Sequence, residues 1–249
     1  MWHQLYQTVL YEPLFNLLVL IYNFVPGKDI GLTIIVLTVL IRLALWPLFG
    51  FAIKSQRKLQ LLQPKVEAIK EKFNNDKEKM APALIELYSK EKINPTASCL
   101  PLIIQLPILI AVYQVFQHGL SNGSFDSLYS FVSNPEHINT IAFGFVNLGV
   151  PSWQLAVAAA IAQFVQTWMM MKKVGPIKKD TSKEMDPTAM AQQMSRQMAY
   201  IMPLMTIWIG SKLPGGLALY WLVMTLVSAL QQLILMKKYP VVEPTVENK

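Results

Sequence analysis

The chain has 249 residues, of which 53% are hydrophobic and 15% charged, and its mean hydropathy is +0.35. Soluble domains carry about 25% charged residues, so this balance argues against a soluble enzyme and against disorder. A single cysteine excludes a disulfide framework, a thiolate zinc cluster and an iron–sulfur site, and the net charge of +7 matters for where it lies rather than for its size.

Residues 1–27 come first. Leu14–Val25 is apolar, but Glu12, Pro13, Asn16 and Asn23 interrupt the pattern. Neither the basic start nor the small-residue cleavage site of a signal peptide is present. The stretch reads as an amphipathic helix lying in the outer membrane interface. A sixth span is the alternative, and it would put Met1 in the cytoplasm.

Five later stretches can cross a bilayer, which takes about 20 helical residues. They are 31–53, 98–116, 153–171, 197–211 and 213–236. All must be helices, because lipid tolerates no open backbone. The fourth lies between Arg196 and Lys212 and reaches only ~22 Å at a rise of ~1.5 Å per residue, so it must snorkel its ends or sit in locally thinned bilayer. Pro151-Ser152 can start the third helix, with Ser152 as N-cap, and Pro214-Gly215-Gly216 marks a tight turn before the fifth. Pro47, Pro101, Pro107 and Pro203 predict kinks.

The connections carry the charge. In 54–97, Leu59, Leu62, Val66, Ile69 and Phe73 recur at helical spacing. Asn74-Asn75-Asp76 then turns the chain, and Met80, Leu84, Leu87 and Tyr88 return it, so a helical hairpin is expected. The 172–196 loop leads into a run of Met190, Met194 and Met198 spaced by four, and 239–249 forms a short tail. Ten Lys and Arg fall in 54–97, six in 172–196 and three at Lys237, Lys238 and Lys249, against Lys28 and Lys212 on the other side. The positive-inside rule then makes these loops and the C-terminus cytoplasmic, with the N-terminus and the 118–152 loop outside.

Arg42 lies eleven residues into the first span, ~16 Å along it and so near the midplane. An arginine there costs between ~3 and ~10–17 kcal/mol. A buried ion pair would be the ordinary explanation, yet none of the five spans contains Asp or Glu. That leaves solvation by amide, hydroxyl and carbonyl groups, or a water-filled, positively charged cavity. Thr38 shares a helix face with Arg42. Gln163 and Gln166 share one on the third span, Gln105 lies on the second, and Tyr220, Trp221, Ser228, Gln231 and Gln232 lie on the fifth. These groups are polar but proton-inert. A proton-coupled carrier would place a titratable residue in a span, and His3, His118 and His137 all lie outside them. Protease, hydrolase, Walker and dinucleotide motifs are missing, so no enzyme activity, cofactor or metal is expected. Nucleic-acid binding is disfavoured because the loop lysines alternate with acids.

Gly31–Arg42 followed by Trp46-Pro47-Leu48 resembles the first conserved span of the YidC insertases and their Oxa and Albino relatives in organelles. Asn94-Pro95, Cys99-Leu100-Pro101, Gln105-Leu106-Pro107-Ile108 and Leu213-Pro214-Gly215-Gly216-Leu217-Ala218-Leu219-Tyr220-Trp221 extend the resemblance over residues 11–238. It implies an all-α membrane protein: five transmembrane helices over 28–238, an N-terminal interfacial helix over 1–27 and a cytoplasmic hairpin. It also implies a hydrophilic groove, open to cytoplasm and lipid, lined at Thr38, Arg42, Gln166, Tyr220 and Trp221, with Gln163 as the alternative match to Gln166. The partners implied are client membrane proteins as nascent chains and membrane lipids, with the ribosome and the Sec translocon left open. The location implied is the inner (plasma) membrane. Glu243 and Glu247 in the tail depart from the basic extension that some members use on ribosomes. A channel would need ion-liganding groups that the spans lack. A pure assembly chaperone would share the fold without translocating anything.

Overall fold

The computed structural model describes residues 2–73, 76–92, 100–120, 125–171 and 200–238. They are mostly helical and belong to two compact units: Met1–Leu45 with Leu102–Ser228, and Trp46–Pro101 with Ala229–Lys249.

The first unit opens with helix α1 (Trp2–Tyr6), a π turn (Gln7–Tyr11) and α2 (Glu12–Phe24), which follow one another without a break. Gln4–Phe24, at 21 residues, is long and apolar enough to cross a membrane. Asn16, in the middle of α2, is buried and fully used. Its Nδ2 donates to Glu12 O (2.8 Å) and Ser127 O (2.9 Å), and its Oδ1 accepts from Tyr129 N (2.6 Å). About two turns on, the Tyr22 hydroxyl accepts from Asn139 N and Asn23 Nδ2 donates to Ser133 O. The irregular 125–139 connection is thus sewn along the second half of this helix.

A turn through Gly27, at φ +69°, leads into α3 (Ile30–Ala44). Asp29 is its N-cap: Oδ1 accepts from Leu32 N at 2.9 Å, satisfying one of the orphan donors that every helix start carries. Ile30, Ile34, Leu37 and Thr38 are buried on one face, while Leu32, Val36, Leu40 and Leu43 are exposed on the other. An exposed apolar face opposite a buried one suits a lipid solvent. Three further helices run through this unit: α7 (Leu100–Leu120), α8 (Trp153–Met171) and α9 (Tyr200–Gly210). The first half of α10 (Gly215–Lys238) also belongs to it. Between α7 and α8 stands a small antiparallel hairpin, β1 (Ile141–Ala142) and β2 (Val146–Asn147), with Ala142 opposite Val146. Phe15, Leu18, Ile34, Val115, Phe116 and Leu148 centre the core.

Close approaches at Gly210 and Gly215 join elements of this unit. A Cβ on Gly210 would come within 2.9 Å of Ala156 Cβ, so α8 and α9 meet through small residues, as membrane helices do. A Cβ on Gly215 would meet Val150 O at 3.1 Å. There the first amides of α10 are capped by carbonyls: Gly215 N donates to Val150 O (2.9 Å) and Gly216 N to Leu148 O (3.0 Å).

The stretch 31–53 is not one helix. α3 ends at Ala44, Leu45 leaves helical geometry (φ −91°, ψ 4°), and α4 begins at Trp46. The kink expected at Pro47 therefore falls two residues earlier. Proline has no N–H for Leu43's carbonyl and restricts the residue before it. α7, by contrast, runs helically through Pro107.

In the second unit, α4 (Trp46–Leu61) leads to a hairpin of α5 (Gln63–Phe73) and α6 (Lys77–Lys90). Val66, Met80 and Leu84 form its buried centre, with Ile69, Phe73, Leu87 and Tyr88 packed around them. The end of α10 also belongs here, where Gln231 Nε2 donates to Trp46 O at 2.8 Å and Gly50 leaves room for it. Asn74-Asn75, Asn94-Pro95, Cys99, the 172–196 loop with Met190, Met194 and Met198, and the 239–249 tail lie outside the described residues.

Asp76 caps α6. Its carboxylate accepts from Lys79 N (3.2 Å) and pairs with Lys79 Nζ at 2.7 Å, and this side-chain bond to the ammonium holds its pKa below the usual aspartate value. A depressed carboxyl contributes stability above its unfolded pKa and loses it as pH falls through the folded value. Amide protection in the first turn of α6, corrected for intrinsic exchange, should hold from pH 7 to ~5 and then decline as pH drops below the ordinary aspartate range of about 3.9. A flat profile to pH 3 would show that the cap contributes nothing.

Candidate functional site

α3 carries Thr38 and Arg42 one turn apart on its buried face, and only 4% of Arg42 is exposed. Thr38 Oγ1 donates back to Ile34 O at 2.6 Å, leaving its lone pairs as acceptors. Arg42 Nη2 donates to Ser228 Oγ on α10, and the Ser228 hydroxyl donates in turn to Met224 O at 2.7 Å. The serine is therefore a relay between a guanidinium and a helix carbonyl.

Tyr220, Met224 and Ser228 stand four apart, so they share one face of α10. Tyr220 is buried, and its hydroxyl accepts from Gln105 Nε2 of α7 at 2.9 Å. Polar links thus tie α10 to both α3 and α7. Trp221, the next residue along α10, is half-buried and lies about 100° round the helix from Tyr220.

Gln163 is engaged elsewhere. Its Oε1 accepts from Thr206 Oγ1 of α9 at 2.6 Å, and Thr206 also lies 3.0 Å from Met202 O. Since a hydroxyl has one proton, Thr206 must share it between the two acceptors. Gln166, one turn further on α8, is half-buried. Arg42 and Tyr220 link α10 to α3 and to α7, Thr38 bonds within α3, and Gln163 joins α8 to α9.

Sequence reasoning placed Gln105 and Ser228 among the polar neighbours but not as direct partners of Tyr220 and Arg42. Thr206 was missed altogether. Its signal was available: it is the one threonine in the apolar 197–211 stretch.

The network offers one permanent positive charge and several neutral donors and acceptors. The sequences of α3, α7, α8, α9 and α10 contain no Asp or Glu. Among the described residues no three His, Cys, Asp or Glu come together as a metal site requires.

A double-mutant cycle with Gln163→Leu and Thr206→Val tests the α8–α9 rung. The coupling free energy should fall near ~0.6 kcal/mol and below ~1.7 kcal/mol, the range of side-chain hydrogen bonds between membrane helices. A value of zero would mean that the pair is replaceable by its own helix carbonyls.

Comparison with known proteins gives a consistent picture. The model of the family described as "60Kd inner membrane protein" matches residues 20–242. The membrane protein insertase YidC of Fusobacterium nucleatum is 32% identical over 210 residues, covering 84% of this chain and 87% of that one. YidC of Aeromonas hydrophila is 30% identical over 229 residues, where the chain spans 91% of its own length but 36% of the relative's. Among solved structures, the active YidC insertase crystal structure with the first transmembrane domain resolved superimposes with a TM-score of 0.56 at 26% identity. That match covers 93% of this chain and 47% of that one. The chain is an all-α membrane protein, and it belongs to the 60Kd inner membrane protein family.

Proposed function

We propose that the chain inserts client proteins into the membrane and makes or breaks no covalent bond in doing so. One observation carries the reading: a guanidinium only 4% exposed stands on helices whose sequences hold no carboxylate. Placing it there costs at least ~3 kcal/mol, and such a cost persists where it serves a function. The relatives' description as membrane protein insertases supports the same reading.

The mechanism follows from the charge. A client's short extracytoplasmic segment must cross the hydrocarbon, and an acidic one is the hardest to move. Arg42 in a hydrated groove, with Thr38, Gln163, Gln166, Tyr220 and Trp221 as its polar lining, gives that segment charge and hydrogen bonds halfway across. The client's apolar helix slides along the lipid-open side. Burial of that helix and the membrane potential acting on the client's charges drive the process. Short α9 lowers the barrier by thinning the bilayer.

The orientation belongs to this reading. Lys and Arg place 54–97, 172–196 and the C-terminus in the cytoplasm. The 2–24 helix then lies in the outer interface rather than across the membrane. Support comes from the 125–139 connection bonded to Asn16, Tyr22 and Asn23. A spanning helix would drag that irregular backbone to mid-bilayer depth, where lipid-exposed loops are not tolerated.

Insertion of matched single-span clients with acidic or neutral tails into liposomes tests the groove. Arg42→Lys should keep much of the insertion, because lysine carries its charge on a long stem. Arg42→Ala should lose more, and lose most for acidic tails. Equal losses for both tails, or losses that track protein abundance, would sink the attraction model. For orientation, a cysteine placed in 125–139 should react with an impermeant thiol reagent from outside and one at Asp76 should not. Labelling of both from one side would overturn the assignment.

A further inference from the structure

The β1–β2 turn presents aromatic side chains to its surroundings where a hairpin tip in water would present glycine, asparagine or aspartate. Phe143 takes φ +54° and Gly144 φ +79°, and a left-handed backbone is unfavourable for phenylalanine. Two contacts hold it there. Asp29 Oδ2 accepts from Phe143 N at 2.5 Å while Oδ1 caps α3, so one carboxylate joins the turn to the helix start. The Phe143 ring lies against Gly31, where a Cβ would stand 2.6 Å from Cζ. The fixed turn then throws Phe145 outward, 82% exposed.

Two apolar stripes run up to this turn. On α3, Leu43, Leu40, Val36 and Leu32 are exposed in sequence, and Phe143, seated on Gly31, continues them past the end of the helix. On α8, Trp168, Phe164 and Ile161 are exposed, and the stripe ends at Trp153, itself 63% exposed. The starts of α3 and α10 are tied to the same segment, through Asp29 and through the carbonyls of Leu148 and Val150, and α8 starts directly from its end. From 138 to 171 there is no Asp, Glu, Lys or Arg. Aromatic, uncharged and continuous with lipid-facing helix surfaces, this is the composition of a membrane-interface belt.

We propose that the 143–153 segment is a bilayer anchor, with Phe143, Phe145, Val150 and Trp153 inserted at the boundary between headgroups and acyl chains. Asp29 is the positioning residue that aims it. Which leaflet is anchored rests on the orientation proposed above; insertion itself does not.

The full chain with Cys99→Ser, carrying Phe145→Cys or, separately, Val150→Cys, is spin-labelled in liposomes. Collision with oxygen and with a water-soluble nickel chelate is then measured. Glu136→Cys on the same connection is the aqueous reference. At 145 and 150, oxygen accessibility should exceed nickel accessibility, and the order should invert at 136. Nickel accessibility at 145 and 150 equal to that at 136 would overturn the anchor. Low accessibility to both reagents would also overturn it, by showing a protein cover, whether a second copy or another partner. Adding Asp29→Ala should move the 145 and 150 labels toward the nickel-accessible state while leaving 136 unchanged; unchanged values would remove Asp29 from the proposal. Impermeant labelling that reversed the orientation would move the anchor to the other leaflet without altering these depths.

Discussion

A buried guanidinium sets the terms for the first unit. Arg42 is far too costly to leave in hydrocarbon, and the sequences of the apolar helices contain no acid to neutralise it. What the structure provides is polar but uncharged. Ser228 takes one arm and donates its own hydrogen bond to Met224's carbonyl, while Tyr220, two turns nearer the start of α10, is held by Gln105. Each of these groups sits on a different turn of an otherwise apolar helix, so the polar network dictates which faces of α3, α7 and α10 can be buried. Packing of small and branched residues then fills the rest, as it must where lipid supplies no hydrophobic drive between helices.

The opposite end of the unit is organised by backbone. Helix starts leave four amides unsatisfied. Here Asp29 serves α3, and the carbonyls of Leu148 and Val150 serve α10. The 125–152 connection is ordered by the same bonds that complete the helices, with Asn16, Tyr22 and Asn23 fastening its other side. Two poles result within one unit: a charged one inside the bundle and an apolar one at its rim.

Much of this was legible in the sequence, and for physical reasons. Helix α8 begins at Trp153, directly after Pro151-Ser152. Val66, Ile69 and Phe73 of the outgoing stripe meet the return stripe from Met80 in the hairpin centre, whereas Leu59 stands on α4. Arg42 meets Ser228, one of the polar groups expected on the fifth span, since a buried charge needs polar company. Partner choice was not legible. Nothing local distinguishes Ser228, which meets Arg42, from Gln231, which instead meets Trp46 O, because pairing depends on helix rotation. Nor does periodicity reveal that Gln163 would be claimed by Thr206. The length of the 2–24 helix fits a span as well as an interface, and only the contacts of Asn16 and Asn23 argue between them.

The break at Leu45 has an electrostatic meaning. Because α3 stops at Ala44, Arg42 falls in its last turn. A helix C-terminus carries about half an elementary negative charge, spread over carbonyls that lack donors, and Pro47 cannot supply one to Leu43. An uninterrupted helix would have put Arg42 in mid-rod, where the dipoles of successive peptides cancel. The interruption therefore works as a counter-ion built from backbone. It cannot be neutralised by protonation, so it holds at any pH. A C-terminal dipole contributes up to ~2 kcal/mol to a cation in favourable, partly buried settings, less than the ~3 to ~10–17 kcal/mol cost of a mid-membrane arginine. The backbone thus offsets part of what burying the guanidinium costs, without an acidic side chain anywhere on the helix.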